Sequence, residues 1–224
     1  MCGVLGPLMD LYMRRRVAGH EHLDELTGPV VFVANHNSHI DTPVILRALP
    51  SRWRRRTAVA AAADYFYDRR RKAVPASLVF GTVPLDRNSG AGVGPGQTAH
   101  IVRLFEGGGS LIVYAEGTRS RNGRVGRLRS GAALLAAEHG LPVVPIYVSG
   151  TAKAMPRGRH WPIFKTGRPG PRHQIEIRFG EPIEPRPGER PSQVMERVRR
   201  FLADCGAETE SEPDAEHAPG RQPA

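Results

Sequence analysis

The chain holds only two cysteines, Cys2 and Cys205, at opposite ends of its 224 residues. That excludes a disulfide framework and suits a reducing compartment. Aromatic residues make up 6% of the chain, and neither helix-turn-helix nor zinc-finger spacing occurs, so nucleic acid is not the expected partner. No uninterrupted apolar run approaches the roughly 18–20 residues of a membrane-spanning helix. The glycines from Gly90 to Gly96 lack the terminal Gly-Lys-Ser/Thr of a P-loop. No internal repeat is present.

Acidic residues are scarce except at one end. The formal charge is +10, yet from Ala207 onward five acids (Glu208, Glu210, Glu212, Asp214, Glu216) face one base, Arg221, a net −4. The remainder therefore carries +14. Such a surface attracts anions: nucleic acid, anionic headgroups or phosphorylated small molecules, and composition alone does not choose among them.

Three segments follow from these patterns. Residues 207–224 are too polar to bury a core and read as a disordered acidic tail. Residues 1–16 read as an apolar and basic helix: Met1–Met13 is mostly apolar, Asp10 interrupts it, and Arg14-Arg15-Arg16 follow. Bases after the apolar stretch are in the wrong order for a secretory signal. The segment is either an interfacial helix, with arginines facing acidic headgroups, or a first helix packed on the domain. Residues 17–206 are enough for one domain with a proper core.

Apolar runs alternate with helical patterns, the signature of an α/β domain. Strands are expected at Val30–Ala34, Thr57–Ala62, Ser110–Ala115, Val143–Val148 and Gln174–Phe179, the Ala-rich second one being equally compatible with helix. Helices are expected at Thr42–Leu49, Gln97–Phe105, Leu128–His139 and Ser192–Asp204. Pro145, inside an apolar run, belongs on an edge strand or at a bulge.

The strongest chemical signal is Asn35-His36-Asn37-Ser38-His39-Ile40-Asp41, directly after a strand-like run. Imidazole is the side chain best suited to taking a proton near neutral pH, and a carboxylate on its far nitrogen fixes the tautomer. The five-residue offset puts the two on different faces of a helix. They therefore meet only if His36 lies in the loop and Asp41 opens the next helix. Asp41-Thr42-Pro43 fits such a start, with Asp41 as N-cap. The pair is also compatible with a mere cap and a loop residue, or, with His39, with part of a zinc site that lacks a well-spaced fourth ligand. No protein nucleophile lies nearby, so the proton removed belongs to a substrate.

A second constellation, Glu116-Gly117-Thr118-Arg119, follows the strand Leu111–Ala115. Ligands of α/β sheets gather beyond the carboxyl ends of strands. Gly117 permits close approach of the backbone, Thr118 adds a hydroxyl, and Arg119 offers a fork for phosphate. Gly81-Thr82-Val83-Pro84-Leu85-Asp86-Arg87 is a weaker third element ending in an arginine.

In order and spacing, Asn35-His36-(four residues)-Asp41, Gly81…Arg87, Glu116-Gly117-Thr118-Arg119 and the apolar segment centred on Pro145 resemble the glycerolipid acyltransferase family. Its best-known members are the 1-acylglycerol-3-phosphate acyltransferases. The resemblance runs from about Val17 to Glu184. It implies a mixed, largely parallel central sheet flanked by helices. It also implies transfer of an acyl group from a thioester, acyl-CoA or acyl carrier protein, to a hydroxyl of a lysophospholipid or glycerol phosphate. By that resemblance His36 is the general base and Asp41 its partner. Arg87, Glu116, Gly117, Thr118 and Arg119 hold the acceptor, with no metal and no resident cofactor. The expected setting is the cytoplasmic face of an anionic membrane, bound peripherally. This chain has Tyr114-Ala115 where the family commonly has Phe-Pro, and Ala61-Ala62-Ala63 in place of a lysine-containing stretch. Both departures bear on the acceptor. Rival readings from other classes are a catalytically idle module for anionic lipid and a basic nucleic-acid-binding protein.

Overall fold

Val31-Phe32-Val33-Ala34 is apolar at every position, a run that suits a strand covered on both faces. The chain is represented by a computed structural model that describes residues 9–62, 82–85, 95–120, 124–159, 162–164 and 171–208. There the run forms β2 (Val31–Ala34), buried throughout and central in a seven-stranded sheet. The other strands are β1 (Met13–Ala18), β3 (Thr57–Ala62), β4 (Thr82–Leu85), β5 (Ser110–Tyr114), β6 (Val143–Ser149) and β7 (His173–Phe179). Their spatial order is β1-β7-β6-β2-β5-β3-β4. Strands β2 to β6 run parallel, β7 is antiparallel to β6, and β1 runs parallel to β7. The mixed, largely parallel sheet is thus as expected.

Alternation along β2 divides the core into two layers. Phe32 packs with Val44, Ile45 and Trp53 from α1 (Asp41–Ala48) and α2 (Ser51–Arg54), with Trp53 edge-on to its ring at 5.8 Å. Val31 and Val33 face the opposite layer. That layer is built by α3 (Pro95–Glu106), α4 (Gly131–Glu138) and α6 (Pro191–Asp204), while the short α5 (Thr151–Ala154) places Ala154 in the first layer. In α6 the buried residues Val194, Met195, Val198 and Leu202 form one helical stripe. Each such side chain, fully buried, stabilises by about 1.5–3 kcal/mol. Sandwiching the sheet this way leaves the carboxyl ends of β2, β5 and β6 side by side, and the loops leaving them meet.

Three expectations need correction. Among the described residues of this segment 9–12 are helical and 13–16 are not: Arg14–Arg16 lie in β1, paired with β7 from Met13↔His173 to Ala18↔Arg178. A boundary after residue 16 therefore cuts a strand. The reason is non-local, since the partner of this basic strand lies about 160 residues away in the chain. Pro145 sits in an interior strand, not at an edge. Its carbonyl accepts from the Gly180 N–H at 2.8 Å. In a strand the N–H and C=O of one residue face the same neighbour, so the missing N–H faces the spot where β7 ends. A Cβ on Gly180 would lie 2.7 Å from both Pro145 Cγ and the Phe201 ring, so glycine is required there. Lastly, α4 begins at Gly131 rather than Leu128, because the Arg129 N–H is drawn to the Ala115 carbonyl at 2.9 Å.

The Ala-rich Thr57–Ala62 is a strand, paired with both β4 and β5. At the tail, Glu208 is tied to the body: its carbonyl accepts from Val125 N at 2.7 Å and its carboxylate pairs with Arg124 at 3.0 Å. Residues 209–224 lie outside the described residues, as do Arg87 and the basic run Arg69–Lys72.

Candidate active site

His36 leaves the end of β2, and Asp41 is the first residue of α1. Asp41 is not the N-cap; Ile40 holds that position without a side-chain cap. The Asp41 side chain instead folds back over the loop it closes. Its Oδ2 accepts the Asn37 N–H at 2.6 Å and the Ser38 N–H at 2.8 Å, and lies 2.9 Å from His36 Nδ1. An oxygen already accepting two N–H groups is an acceptor for the third, so Nδ1 carries the proton and Nε2 the lone pair. Asp41 is fully buried, and its Oδ1 has no hydrogen-bond partner among the described residues. A buried acceptor left unpaired costs about 1–3 kcal/mol, and it leaves negative charge beside the imidazole.

The imidazole is held from its face as well. Its ring stacks on Tyr114, the last residue of β5, with centroids 3.9 Å apart and planes 19° from parallel. The Tyr114 hydroxyl lies 2.7 Å from Thr42 Oγ1 on α1. Burial, and then the Asp41 charge, push the Tyr114 hydroxyl well above its ordinary pKa, so it stays protonated and neutral beside His36.

Two asparagines that the sequence reading named without a role anchor the loop. Asn35 Nδ2 and Asn37 Nδ2 both donate to the Val148 carbonyl at 2.9 Å, and Asn35 Oδ1 accepts from Val148 N at 2.8 Å. Ser38 Oγ donates to the Met155 carbonyl at 2.8 Å. The loop after β2 is thereby fastened to the end of β6.

Glu116 braces the same loop from the other side. One carboxylate oxygen accepts the His36 N–H at 3.0 Å and the other the Gly126 N–H at 3.2 Å. Burial raises the Glu116 pKa, against the pull of those two N–H groups. The His36 carbonyl accepts from Ser120 N at 2.8 Å. The first and second constellations are therefore one site, with Arg119 next to that contact. Gly117 adopts φ 68°, and a Cβ there would lie 3.1 Å from Arg129 Nε and 3.3 Å from its Cδ. Arg129, passed over in sequence, thus lies across the Glu116-Gly117 turn. Among the described residues no three His, Cys, Asp or Glu side chains are grouped to hold a metal ion. None of the described helices is long and apolar enough to cross a membrane.

A family model described as Acyltransferase matches residues 14–149, more than half of the chain, and includes both the His36 loop and the Glu116 turn. The chain belongs to the acyltransferase family. It is 31% identical over 152 residues to 1-acyl-sn-glycerol-3-phosphate acyltransferase BAT2, chloroplastic, of Brassica napus, covering 66% of this chain and 40% of that protein. It is 30% identical over 152 residues to the chloroplastic LPAT1 enzyme of the same description from Arabidopsis thaliana, covering 66% and 39%. The chain thus spans about two fifths of the length of these relatives. The crystal structure of the 1-acyl-sn-glycerophosphate (LPA) acyltransferase PlsC from Thermotoga maritima superposes with a TM-score of 0.63 at 24% identity, over 88% of this chain and 75% of that one. That likeness is one of fold.

Within this acyltransferase-family site, one signal for Arg129 was present in sequence. Five arginines fall between residues 119 and 129, but no periodicity says which one folds back over Gly117. The anchoring role of the two asparagines had none, because amide-to-backbone bonds across the sheet leave no local pattern.

Proposed function

We propose that this chain is an O-acyltransferase that moves a fatty acyl group from a thioester to a hydroxyl of a glycerol phosphate or lysophospholipid. The names of its relatives make 1-acyl-sn-glycerol-3-phosphate the first acceptor to test. The observation that carries the reading is the His36–Asp41 contact of 2.9 Å, with the carboxylate fixed by two backbone N–H groups.

His36 Nε2 takes the proton of the acceptor hydroxyl as its oxygen attacks the thioester carbonyl. The C–O bond forms and the carbonyl becomes an oxyanion. Asp41 stabilises the imidazolium without taking its proton. The tetrahedral intermediate collapses, the C–S bond breaks, and the imidazolium proton passes to the departing thiolate. Free thiol and ester result, and no acyl-enzyme is formed. Tyr114 keeps the ring in plane, and Glu116 keeps the His36 backbone in place. Gly117, Thr118 and Arg119 meet the acceptor, and Arg129, lying over the same turn, adds positive charge for its phosphate. Arg87 is assigned to the acceptor by family resemblance. Acyl-CoA and acyl carrier protein are both candidate donors, consumed as co-substrates. The basic body and sparse cysteines support work at the cytoplasmic face of an anionic membrane.

The test is thiol release from acyl-CoA or acyl carrier protein with a panel of lysophospholipid acceptors, wild type beside His36→Ala. Loss of a general base costs about 10²–10⁴ in rate, while the circular dichroism of the variant stays that of the wild type. Near-wild-type turnover by folded His36→Ala would overturn the assignment. Lipid binding by the wild type with no thiol release would favour an idle lipid module.

A further inference from the structure

Two large hydrophobic side chains stand exposed among the described residues, Leu11 at 53% and Ile163 at 36%. They belong to one corner of the fold. Tyr12, next to Leu11, stacks on Phe164, next to Ile163, with ring centroids 4.4 Å apart. The segment bearing Ile163 is pinned at both ends of one peptide unit pair: its N–H donates to the Ala154 carbonyl at 2.8 Å, and its carbonyl accepts from His173 Nε2 at 3.1 Å. Leu11 and Ile163 are thus presented outward by well-tethered backbone.

Beside them lies a cluster of arginines around one acid. Asp10 carboxylate oxygens lie 2.7 Å from Arg47 Nη2 and 3.6 Å from Arg15 Nη2, and Arg172 Nη1 donates to the Asp10 carbonyl at 3.0 Å. Three guanidinium groups against one carboxylate leave an excess of two positive charges. Arg47 Nη1 is buried with no hydrogen-bond partner among the described residues. Burial, and then the Arg47 charge, push the Arg15 guanidinium below its ordinary pKa, and Arg54 adds to that push. One arginine would suffice to hold residues 9–12 on α1. Crowding further cations there is unfavourable unless an anion joins them.

The corner also shares an end of the sheet with His36. Ser149, at the end of β6, pairs with Glu176, so the start of β7 at His173 and its partner Met13 project past that end. Val148, one residue before, is the group gripped by Asn35 and Asn37 of the His36 loop.

We propose that Leu11, Tyr12, Ile163 and Phe164, with Arg15, Arg47 and Arg172, form the surface that docks on an anionic phospholipid bilayer. The apolar side chains enter the boundary between headgroup and acyl chain, and the arginines hold a lipid phosphate. The choice of a bilayer as occupant rests on the acyl-transfer reading, since acceptor and product of that reaction reside in one. Docked here, the protein takes its acceptor from the bilayer at the rim where His36 sits. This surface differs from the one expected from sequence, because alternation along β1 turns Arg15 to this cluster and Arg14 and Arg16 to the other face of the strand.

The test is co-sedimentation of the full chain with vesicles of phosphatidylcholine alone and of phosphatidylcholine mixed with phosphatidylglycerol, for wild type, Arg172→Gln and Leu11→Glu/Ile163→Glu. All three positions are exposed or project from loops, so the variants keep the fold. Wild type is expected to prefer the anionic vesicles, and to lose that preference at high salt. Arg172→Gln should bind them about fivefold more weakly, the value of one surface cation. The double variant should bind more weakly than wild type to both compositions. Turnover of a short-chain, water-soluble lysophospholipid should match wild type in both variants. Vesicle binding unchanged in both variants would overturn the docking surface while leaving acyl transfer intact. Equal loss of soluble-acceptor turnover in Arg172→Gln would also overturn it, placing the cluster in acceptor binding. Failure of wild type to turn over any soluble acceptor would sink the acyl-transfer reading instead.

Discussion

The loops that follow β2 and β5 are each organised by one carboxylate, and the two carboxylates act in opposite ways. Asp41 gathers three N–H groups onto a single oxygen, all from the five residues before it. Its loop is a closed local unit that fixes the side chain of His36. Glu116 splits its oxygens between two distant backbone groups, those of His36 and Gly126. Its loop is a strap that fixes where the His36 backbone sits. The contrast teaches that orienting the His36 side chain and placing its backbone are separate tasks, with separate signatures when broken.

Asp41→Asn attacks orientation and should have the largest effect. The two backbone N–H groups need an acceptor, so the amide oxygen takes the place of Oδ2 and the change removes the negative charge that grips the Nδ1–H and stabilises the imidazolium. Loss of the carboxylate from an imidazole–carboxylate pair costs up to about 10⁴ in kcat. Steady-state kinetics with a soluble acceptor measures it, and a loss under tenfold would break the distinction.

Glu116→Gln attacks placement. One backbone N–H would face an amide N–H, costing about 1–3 kcal/mol of stability, read by urea denaturation. The pH dependence gives a second readout. The folded-state pKa of Glu116 is raised by burial, so the native state binds the extra proton between the ordinary value and the raised one. Stability contributed by this group therefore falls as pH rises through that window, and is recovered on acidification. Glu116→Gln should remove that slope, and a persisting slope would assign it to another group.

Gly117→Ala tests the seam where the strap meets Arg129. A side chain at φ 68° with a 3.1 Å contact should cost about 1–2 kcal/mol and displace Arg129. KM for a phosphate-bearing acceptor should then rise more than kcat falls. An unchanged KM would remove Arg129 from acceptor binding.

Tyr114→Phe should have the smallest effect. The stack on His36 persists while Thr42 Oγ1 loses its partner, a change of about 1 kcal/mol in stability. Rates should stay within a few-fold of wild type. Tyr114→Leu, which removes the ring, should slow turnover further; if the two variants behave alike, stacking does not hold the His36 ring.

Much of this was legible before any coordinates. The strands β2, β5, β6 and β7 announced themselves within one or two residues, because a buried strand must be apolar along its whole length or on alternate residues, whereas the Ala-rich β3 read equally as helix. The His36–Asp41 pair was legible because it is closed within one loop. Strand β1 was not, since Arg14-Arg15-Arg16 has no apolar pattern and is strand only through its hydrogen bonds to β7. Pro145 misled for the same reason: whether its missing N–H matters depends on where the neighbouring strand stops. The roles of Asn35, Asn37 and Arg129 were invisible because their partners lie across the sheet or back over a turn.

The amino-acid order by itself settled the α/β class, the pairing of His36 with Asp41, and the basic body of the molecule. These rest on local periodicity, short-range chemistry and summed charge. Folding in three dimensions decided which carboxylate braces and which one orients. It also decided which arginine covers Gly117, and that Asp10 and Leu11 share a corner with Arg172 and Ile163. Those relations join residues far apart in the chain, and only the packed sheet brings their atoms within a few ångströms.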